Sequence, residues 1–199
     1  MTLLERIPRE TFHEASIPVL ETKRLALRAP RLEDAKTVAT LANDRRIAEN
    51  TARIPHPYKM SDAESFIAGA NKAGGEALFL ITLRDETIVG ACGIVPLEPT
   101  PELGFWLGVP FWGQGYATEA LHAVIDYAFA DLGHDGMQAG ARVTNPASRR
   151  VLEKCGFQWT GVGLYRINSI KSSAPIDRFR LERGIWSALK TWGRMKKVM

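Results

Sequence analysis

The sequence predicts an α/β (α+β) fold: a mixed, mostly antiparallel central sheet of about six to seven strands, flanked by about four helices. Two observations carry this. Three β-type runs follow one another between residues 77 and 109 with no helix among them. Beyond them the apolar spacing switches to helix, strand, helix, strand, strand, an order that a mixed sheet with helices on its faces accommodates. The 199 residues fit one domain spanning 1–199, with an irregular N-terminal segment and a basic C-terminal tail.

Residues 1–22 carry Pro8 and Pro18 and are expected to be irregular. Arg24–Arg28 alternates apolar and charged residues, as a half-buried strand does. Leu32–Asn43 repeats apolar residues at helical spacing. Pro55 and Pro57 make residues 50–60 a loop. Ser61 with Glu64 forms a capping-box pattern for a second helix that reaches about Lys72 and ends at Gly74–Gly75. Ala77–Leu83 and Thr87–Val95 form a hairpin about Asp85–Glu86, and Glu102–Val109 is the third strand. Gly115–Ala130 is a helix with a buried stripe at Leu121, Val124, Ile125, Ala128 and Phe129. Met137–Val143 is a strand. Asn145 caps a helix with Pro146 at its first position and Gly156 just past its end. Two strands, near Phe157–Tyr165 and Arg178–Arg183, and a short amphipathic tail (Ile185, Leu189, Trp192) complete the chain.

Composition narrows the function classes. With 45% hydrophobic and 24% charged residues, disorder is excluded as the dominant state. The two cysteines, Cys92 and Cys155, lie in separate apolar segments and the four histidines are scattered, so neither a disulfide framework nor a metal site is expected. No apolar run is long enough for a membrane span. The first residues lack the apolar core of a signal peptide, and a cytoplasmic location is expected. The net charge of +4 forms no basic stripe, so nucleic acid is not an expected partner; a polyanionic small molecule fits as well.

Val109–Ala120, VPFWGQGYATEA, holds the most chemistry. A strand ends, Gly113 and Gly115 turn the chain, and a helix starts at once. The free amides and positive dipole end of a helix N-terminus suit a phosphate or pyrophosphate. A plain tight turn explains the two glycines equally well on the local pattern. A P-loop is excluded, because Ala117-Thr118 stands where Lys and Ser/Thr belong. A Rossmann fingerprint is excluded by Thr118 and by the strands and helices that precede the motif.

At this segment the chain resembles the GCN5-related N-acetyltransferases, and within them the RimJ/RimL branch. ETKRLALRAPRLEDA resembles the family's opening strand and helix, ELGFWLG its central strand, WGQGYATEAL its acetyl-CoA motif, and NPASRRVLEKCGF the helix that follows. The resemblance covers about residues 20–187, the expected core, and its four motifs stand in the family's order. It implies a sheet splayed at the central strand and acetyl transfer from acetyl-CoA, as co-substrate, to an amine. It implies pyrophosphate binding by the main chain of Gly113, Gln114, Gly115, Tyr116, Ala117 and Thr118. It implies pairing of the pantetheine arm, as an added strand, with Leu107, Gly108 and Val109. Trp112 departs from the broad family pattern and agrees with the branch. Leu152 departs further, for it occupies the position where many members carry a tyrosine that protonates the leaving thiolate.

The chemistry needs a neutral amine, stabilised charge on the carbonyl oxygen and a proton for the thiolate. Cys92 and Cys155 look buried, so direct attack in a ternary complex is expected rather than an acyl-enzyme. Glu102 is the candidate base, against the alternative of a solvated residue at a strand end. Asn145 is an N-cap, and the resemblance adds a hold on the pantetheine arm. Ser148 is the candidate proton donor, with water as the alternative. Arg149 and Arg150 read as a solvated basic face, and His56 as a loop residue near the acceptor. The acceptor is either a protein N-terminal amine or a small amine, and a homodimer stays open. The alternative reading is a catalytically weak or inactive CoA-binding module with a regulatory role.

Overall fold

The computed structural model describes residues 17–70 and 77–195. The expected end of the second helix, Lys72 to Gly75, lies outside them. Eight strands form one sheet in the order β1-β2-β3-β4-β5-β6-β8-β7: β1 Leu20–Glu21, β2 Leu25–Arg28, β3 Ala77–Leu83, β4 Ile88–Val95, β5 Glu102–Leu107, β6 Gly136–Arg142, β7 Gln158–Ile167 and β8 Ser172–Glu182. The helices are α1 Ala35–Ala42, α2 Arg45–Ala48, α3 Met60–Ala70, α4 Tyr116–Ala130, α5 Pro146–Lys154 and α6 Arg183–Met195. The fold class is as expected, with one or two more strands and two more helices than the sequence pattern predicts. The extra pieces include β1 and α2, which are too short to print a periodicity. The second helix begins at Met60 rather than after Ser61, and Asp62, not Glu64, reaches back to accept the Lys59 amide at 2.7 Å. No helix among the described residues is long and apolar enough to cross a membrane.

Alternation along the strands builds two cores. On one face Phe79, Ile81, Leu103 and Leu107 pack with Leu121, Val124, Ile125 and Phe129 of α4 and Leu152 of α5. On the other, Leu80, Ile88 and Ala91 pack with Ala35, Val38 and Ala42 of α1 and Ala63 and Ile67 of α3. Covered on both faces, β3 and β4 are buried at nearly every position, and Thr82 is the one polar residue in them, its hydroxyl donating to the Ala26 carbonyl at 2.9 Å.

The sheet is antiparallel except between β5 and β6. Among the described residues these two pair at Glu102–Gln138 alone. Gln138 fastens that point: its amide donates to the Pro101 carbonyl at 2.9 Å and its side chain to the Thr100 carbonyl at 3.0 Å. Beyond it the strands diverge, and the sheet opens toward Leu107 and Arg142.

Candidate active site

Two clefts occupy the opening. The larger, of about 1020 Å³, lies on the α1–α3 face, with Glu102, Gly104, Trp106, Arg142 and Tyr58 in its wall. The smaller, of about 180 Å³, runs past Trp112, Gly113, Ala117, Asn145 and Val151. Asn50, Thr51, Phe105, Trp106 and Ser148 line both. The clefts therefore meet at Ser148.

The glycine turn closes one end of the smaller cleft. Gly113 and Gly115 take φ +75° and +81°, left-handed values that side chains other than glycine adopt at a cost. Gly115 is the N-cap of α4 and supplies no side chain to it. The first amide of this end with a partner in the helix is that of Glu119, to the Gly115 carbonyl at 3.1 Å. The amides of Tyr116, Ala117 and Thr118 consequently face out of the helix end. The Gln114 side chain folds back onto the Pro110 carbonyl at 3.1 Å, away from the helix end.

A clamp that sequence reasoning missed holds this turn. The Glu119 carboxylate accepts from the Thr22 hydroxyl (2.7 Å), the Arg24 amide (2.8 Å) and Arg24 Nε (2.6 Å). Arg24 Nη1 donates to the Gln114 carbonyl at 3.0 Å, and its guanidinium lies 4.6 Å from the Tyr116 ring centroid. The one local hint is an acidic residue in the first turn of a helix; its partner stands 95 residues away.

On the splayed edge of β5 the strand's alternation decides which main-chain groups are available. The Gly108 amide donates to Val89 of β4 at 2.8 Å, whereas Pro101 faces β6. Leu103, Phe105 and Leu107 share the parity of Pro101: Leu103 still stands at the pairing point with β6, and Phe105 and Leu107 turn main-chain groups into the opening. Of the three residues expected to pair with an added strand, only Leu107 lies on that edge within β5, and its carbonyl accepts from the Trp112 indole at 2.7 Å. Gly108 faces β4, and Val109 has left the strand for a 3-10 turn, Val109–Phe111. The Phe105 main chain is the edge group that the sequence pattern did not single out.

Asn145 and Ser148 form a directed pair. Asn145 Oδ1 accepts the Ser148 amide at 3.1 Å, capping α5, and its Nδ2 donates to Ser148 Oγ at 2.9 Å. With Oγ used as an acceptor, the hydroxyl hydrogen of Ser148 is left to point elsewhere. Leu152, one turn on, is fully buried in the core. Arg149 bonds the buried Asp177 at 3.1 Å and Glu153 at 3.2 Å, so it turns away from the glycine loop; Arg150 is exposed. His56 is exposed and outside both clefts.

Burial pushes the Glu102 carboxyl above its ordinary value, with the Arg53 charge opposing. Burial holds both thiols protonated: Cys155 is pushed up to about 12, and Cys92 is also raised. Neither is a poised nucleophile. Tyr58 is likewise pushed up to about 12 by burial and Asp62, and borders the larger cleft only.

A model of the acetyltransferase (GNAT) domain family matches residues 24–158. The chain belongs to the GNAT acetyltransferase family. An uncharacterized N-acetyltransferase, p20 of Bacillus licheniformis, is 28% identical over 149 residues, covering 72% of this chain and 84% of the relative. The ribosomal-protein-serine acetyltransferase of Escherichia coli is 34% identical over 90 residues, covering 44% of this chain and 50% of that protein. Among solved structures, RimL, a ribosomal L7/L12 α-N-protein acetyltransferase in complex with coenzyme A, superposes with a TM-score of 0.72 at 18% identity, covering 83% of this chain and 98% of that one. The solved structure, at 18% identity, bears on the fold alone; the Escherichia coli relative agrees, over the part it matches, with the RimJ/RimL branch that the motifs resemble.

Proposed function

We propose that this GNAT protein moves an acetyl group from acetyl-CoA to a primary amine by direct attack in a ternary complex. One observation carries the reading: a narrow cleft running from an uncapped helix end meets a wide one at Ser148. In the narrow cleft the main chain of Gly113–Thr118 binds the pyrophosphate, and the open edge of β5 at Phe105 and Leu107 pairs with the amides of the pantetheine arm. When bound, acetyl-CoA supplies the thioester: the amine nitrogen bonds to the carbonyl carbon, the carbon–sulfur bond breaks, and CoA leaves as its thiol.

The chain's own residues move the protons. Glu102 takes a proton from the incoming ammonium, directly or through a water, and its raised carboxyl brings it nearer the working pH. Ser148, its oxygen engaged by Asn145, donates its hydroxyl proton to the leaving sulfur and regains one from the second proton that the nitrogen sheds as the amide forms, passed through water, while Glu102 returns its own to solvent. Asn145 fixes that hydroxyl. The named activity of RimL supports a protein N-terminus as acceptor; the volume of the larger cleft supports a small amine equally.

The test is thiol release from acetyl-CoA against free amino acids, polyamines, aminoglycosides and N-terminal peptides, with initial rates at varied concentrations of both substrates. Intersecting kinetics with at least one acceptor are expected. An isolable acetyl-enzyme would overturn direct transfer. CoA binding with no thiol release for any acceptor would favour the inactive module.

A further inference from the structure

The larger cleft contains a cation that the transfer chemistry leaves unused. Arg142 ends β6. Gln138 is level with Glu102 across the two strands, and Arg142 stands two same-face positions further, about 13 Å along the strand. It borders the larger cleft and not the smaller, so it lies apart from the phosphate cradle at Gly113–Thr118. The side chain is half-buried. Nη1 donates to the Glu49 carbonyl at 2.8 Å, while Nε is buried with no acceptor. Among the described residues no carboxylate is within ion-pair distance of it.

The other charged side chains of this cleft do not answer it. Arg53 has the same sign and acts on Glu102. Asp62 accepts the Lys59 amide at the start of α3. A half-buried guanidinium without a counter-charge is costly to keep, and it becomes favourable when an anion arrives with matching acceptors.

One side of the rim is tied shut. The Asn168 amide donates to the Ala52 carbonyl and its side chain to the Arg53 carbonyl, both at 3.0 Å. Ser169 Oγ donates to the Ala48 carbonyl at 2.9 Å. These bonds join the 48–53 loop to the β7–β8 turn beside the cleft. The remaining space, about 1020 Å³, is of small-molecule size.

We propose that Arg142 binds an anionic group of the acceptor, so that the acceptor is a small zwitterion carrying the primary amine and a carboxylate or phosphate on one molecule. This rests on the acetyl-transfer reading. It assigns the Glu102 side of the cleft to the ammonium and the Arg142 side to the anion, and it disfavours polyamines.

Matched pairs test it: L-phenylalanine against phenethylamine, and phosphoethanolamine against ethanolamine, with a neutral tetrapeptide amide as the macromolecular control. Affinity is read by calorimetry with CoA present, and kcat/KM by thiol release. The anionic member of at least one pair is expected to bind about tenfold or more tightly than its neutral partner, and the pair that shows it separates carboxylate from phosphate. In Arg142→Met that preference should shrink to about twofold or less, and Arg142→Lys should restore part of it. If Arg142 merely ties down the Glu49 carbonyl, both members weaken together and the preference persists, which overturns the proposal. So does equal binding of both members in the unaltered protein, failure of every anionic member to bind, or a preference for the neutral tetrapeptide. Anion preference in binding without thiol release would sink the acetyl-transfer reading and leave the Arg142 assignment standing.

Discussion

Glu119→Gln tests whether the turn between β1 and β2 holds the Gly113–Gly115 turn, the phosphate cradle we propose, in shape. In the native arrangement Oε1 receives the Thr22 hydroxyl and the Arg24 amide, and Oε2 receives Arg24 Nε. Glutamine keeps the outline but replaces one oxygen with an NH2 that cannot accept, so the Arg24 Nε bond is the one lost. A hydrogen bond to a charged group contributes about 1.5–3 kcal/mol when sheltered. Here the Arg24 side chain is 43% exposed and that of Glu119 19%, so solvent screening cuts this to about 1 kcal/mol. Without that bond Arg24 is freed from the Gln114 carbonyl and the Tyr116 ring, and the Gly113–Gly115 turn loses its outer support. If the whole loss falls on cradle order, the Kd for CoA rises about fivefold, and Tm falls about 2–4 °C. Calorimetric titration with CoA and a thermal melt read both. A lowered Tm with unchanged CoA affinity would refute the reasoning, leaving Glu119 as no more than a tie between the β1–β2 turn and α4. pH supplies a second check. Burial raises the Glu119 carboxyl, but the bonds from Thr22 and Arg24 together outweigh it and hold it below its ordinary value. A depressed carboxylate stabilises the fold above its unfolded pKa and loses that contribution as pH falls through the folded one. The stability gap between Glu119 and its Gln variant should therefore close in the acid range below about pH 4.

Three further outcomes are expected. Glu102→Gln should lower kcat by about 10²-fold or more and remove the acid limb of the rate profile; that limb lies above the usual carboxylate range because burial raises the group and the base works only when ionised, and an identical limb in the variant would acquit Glu102. Ser148→Ala should cut kcat about tenfold or more with little change in Tm, whereas Asn145→Ala should lower kcat and also cost about 1 kcal/mol of stability by uncapping α5, measured by steady-state rates beside urea melts. A Cβ at Gly104 meets nothing within 4 Å, so Gly104→Val should fold with stability within about 0.5 kcal/mol of the native and raise the acceptor KM about tenfold; a large loss of stability would contradict the open floor of the cleft.

How much of this was legible in the sequence follows the range of the interactions. The β3–β4 hairpin, the α4 stripe and the Asn145-Pro146 start of α5 are local signals, and they stand within a residue or two of where the pattern puts them. The sequence pattern starts the last strand near Arg178, whereas β8 begins six residues earlier at Ser172 and carries Pro175, a residue that disfavours strands; the chain tolerates it opposite Leu164 of β7. Gly113, Gly115, Asn145 and Ser148 were visible for the same local reason. The Arg24–Glu119 clamp and the bond from Arg142 to Glu49 join residues 95 and 93 apart. No periodicity or cap encodes such a pair, and only closure of the sheet brings its members together. The main-chain edge at Phe105 was hidden differently: a shift of one residue in the pairing of β5 with β4 reverses which amides face the opening, and nothing local fixes that register.

The same distinction bears on Leu152. Read along the sequence, its place in the family pattern marks a missing acid. In the fold it is fully buried on the inner face of α5, so a tyrosine there would have to displace packed core to reach the cleft, at a cost of about 1–3 kcal/mol. Ser148 is one turn earlier on the same helix, at the junction of both clefts, with its oxygen already accepting from Asn145. The proton-donating function therefore need not be absent because the tyrosine is. In the mechanism we propose it falls one turn toward the N-terminus of α5, on a residue that the helix cap itself orients. Leu152→Tyr should on this view destabilise the protein without raising kcat, and a gain in rate would return the acid to the family's usual position.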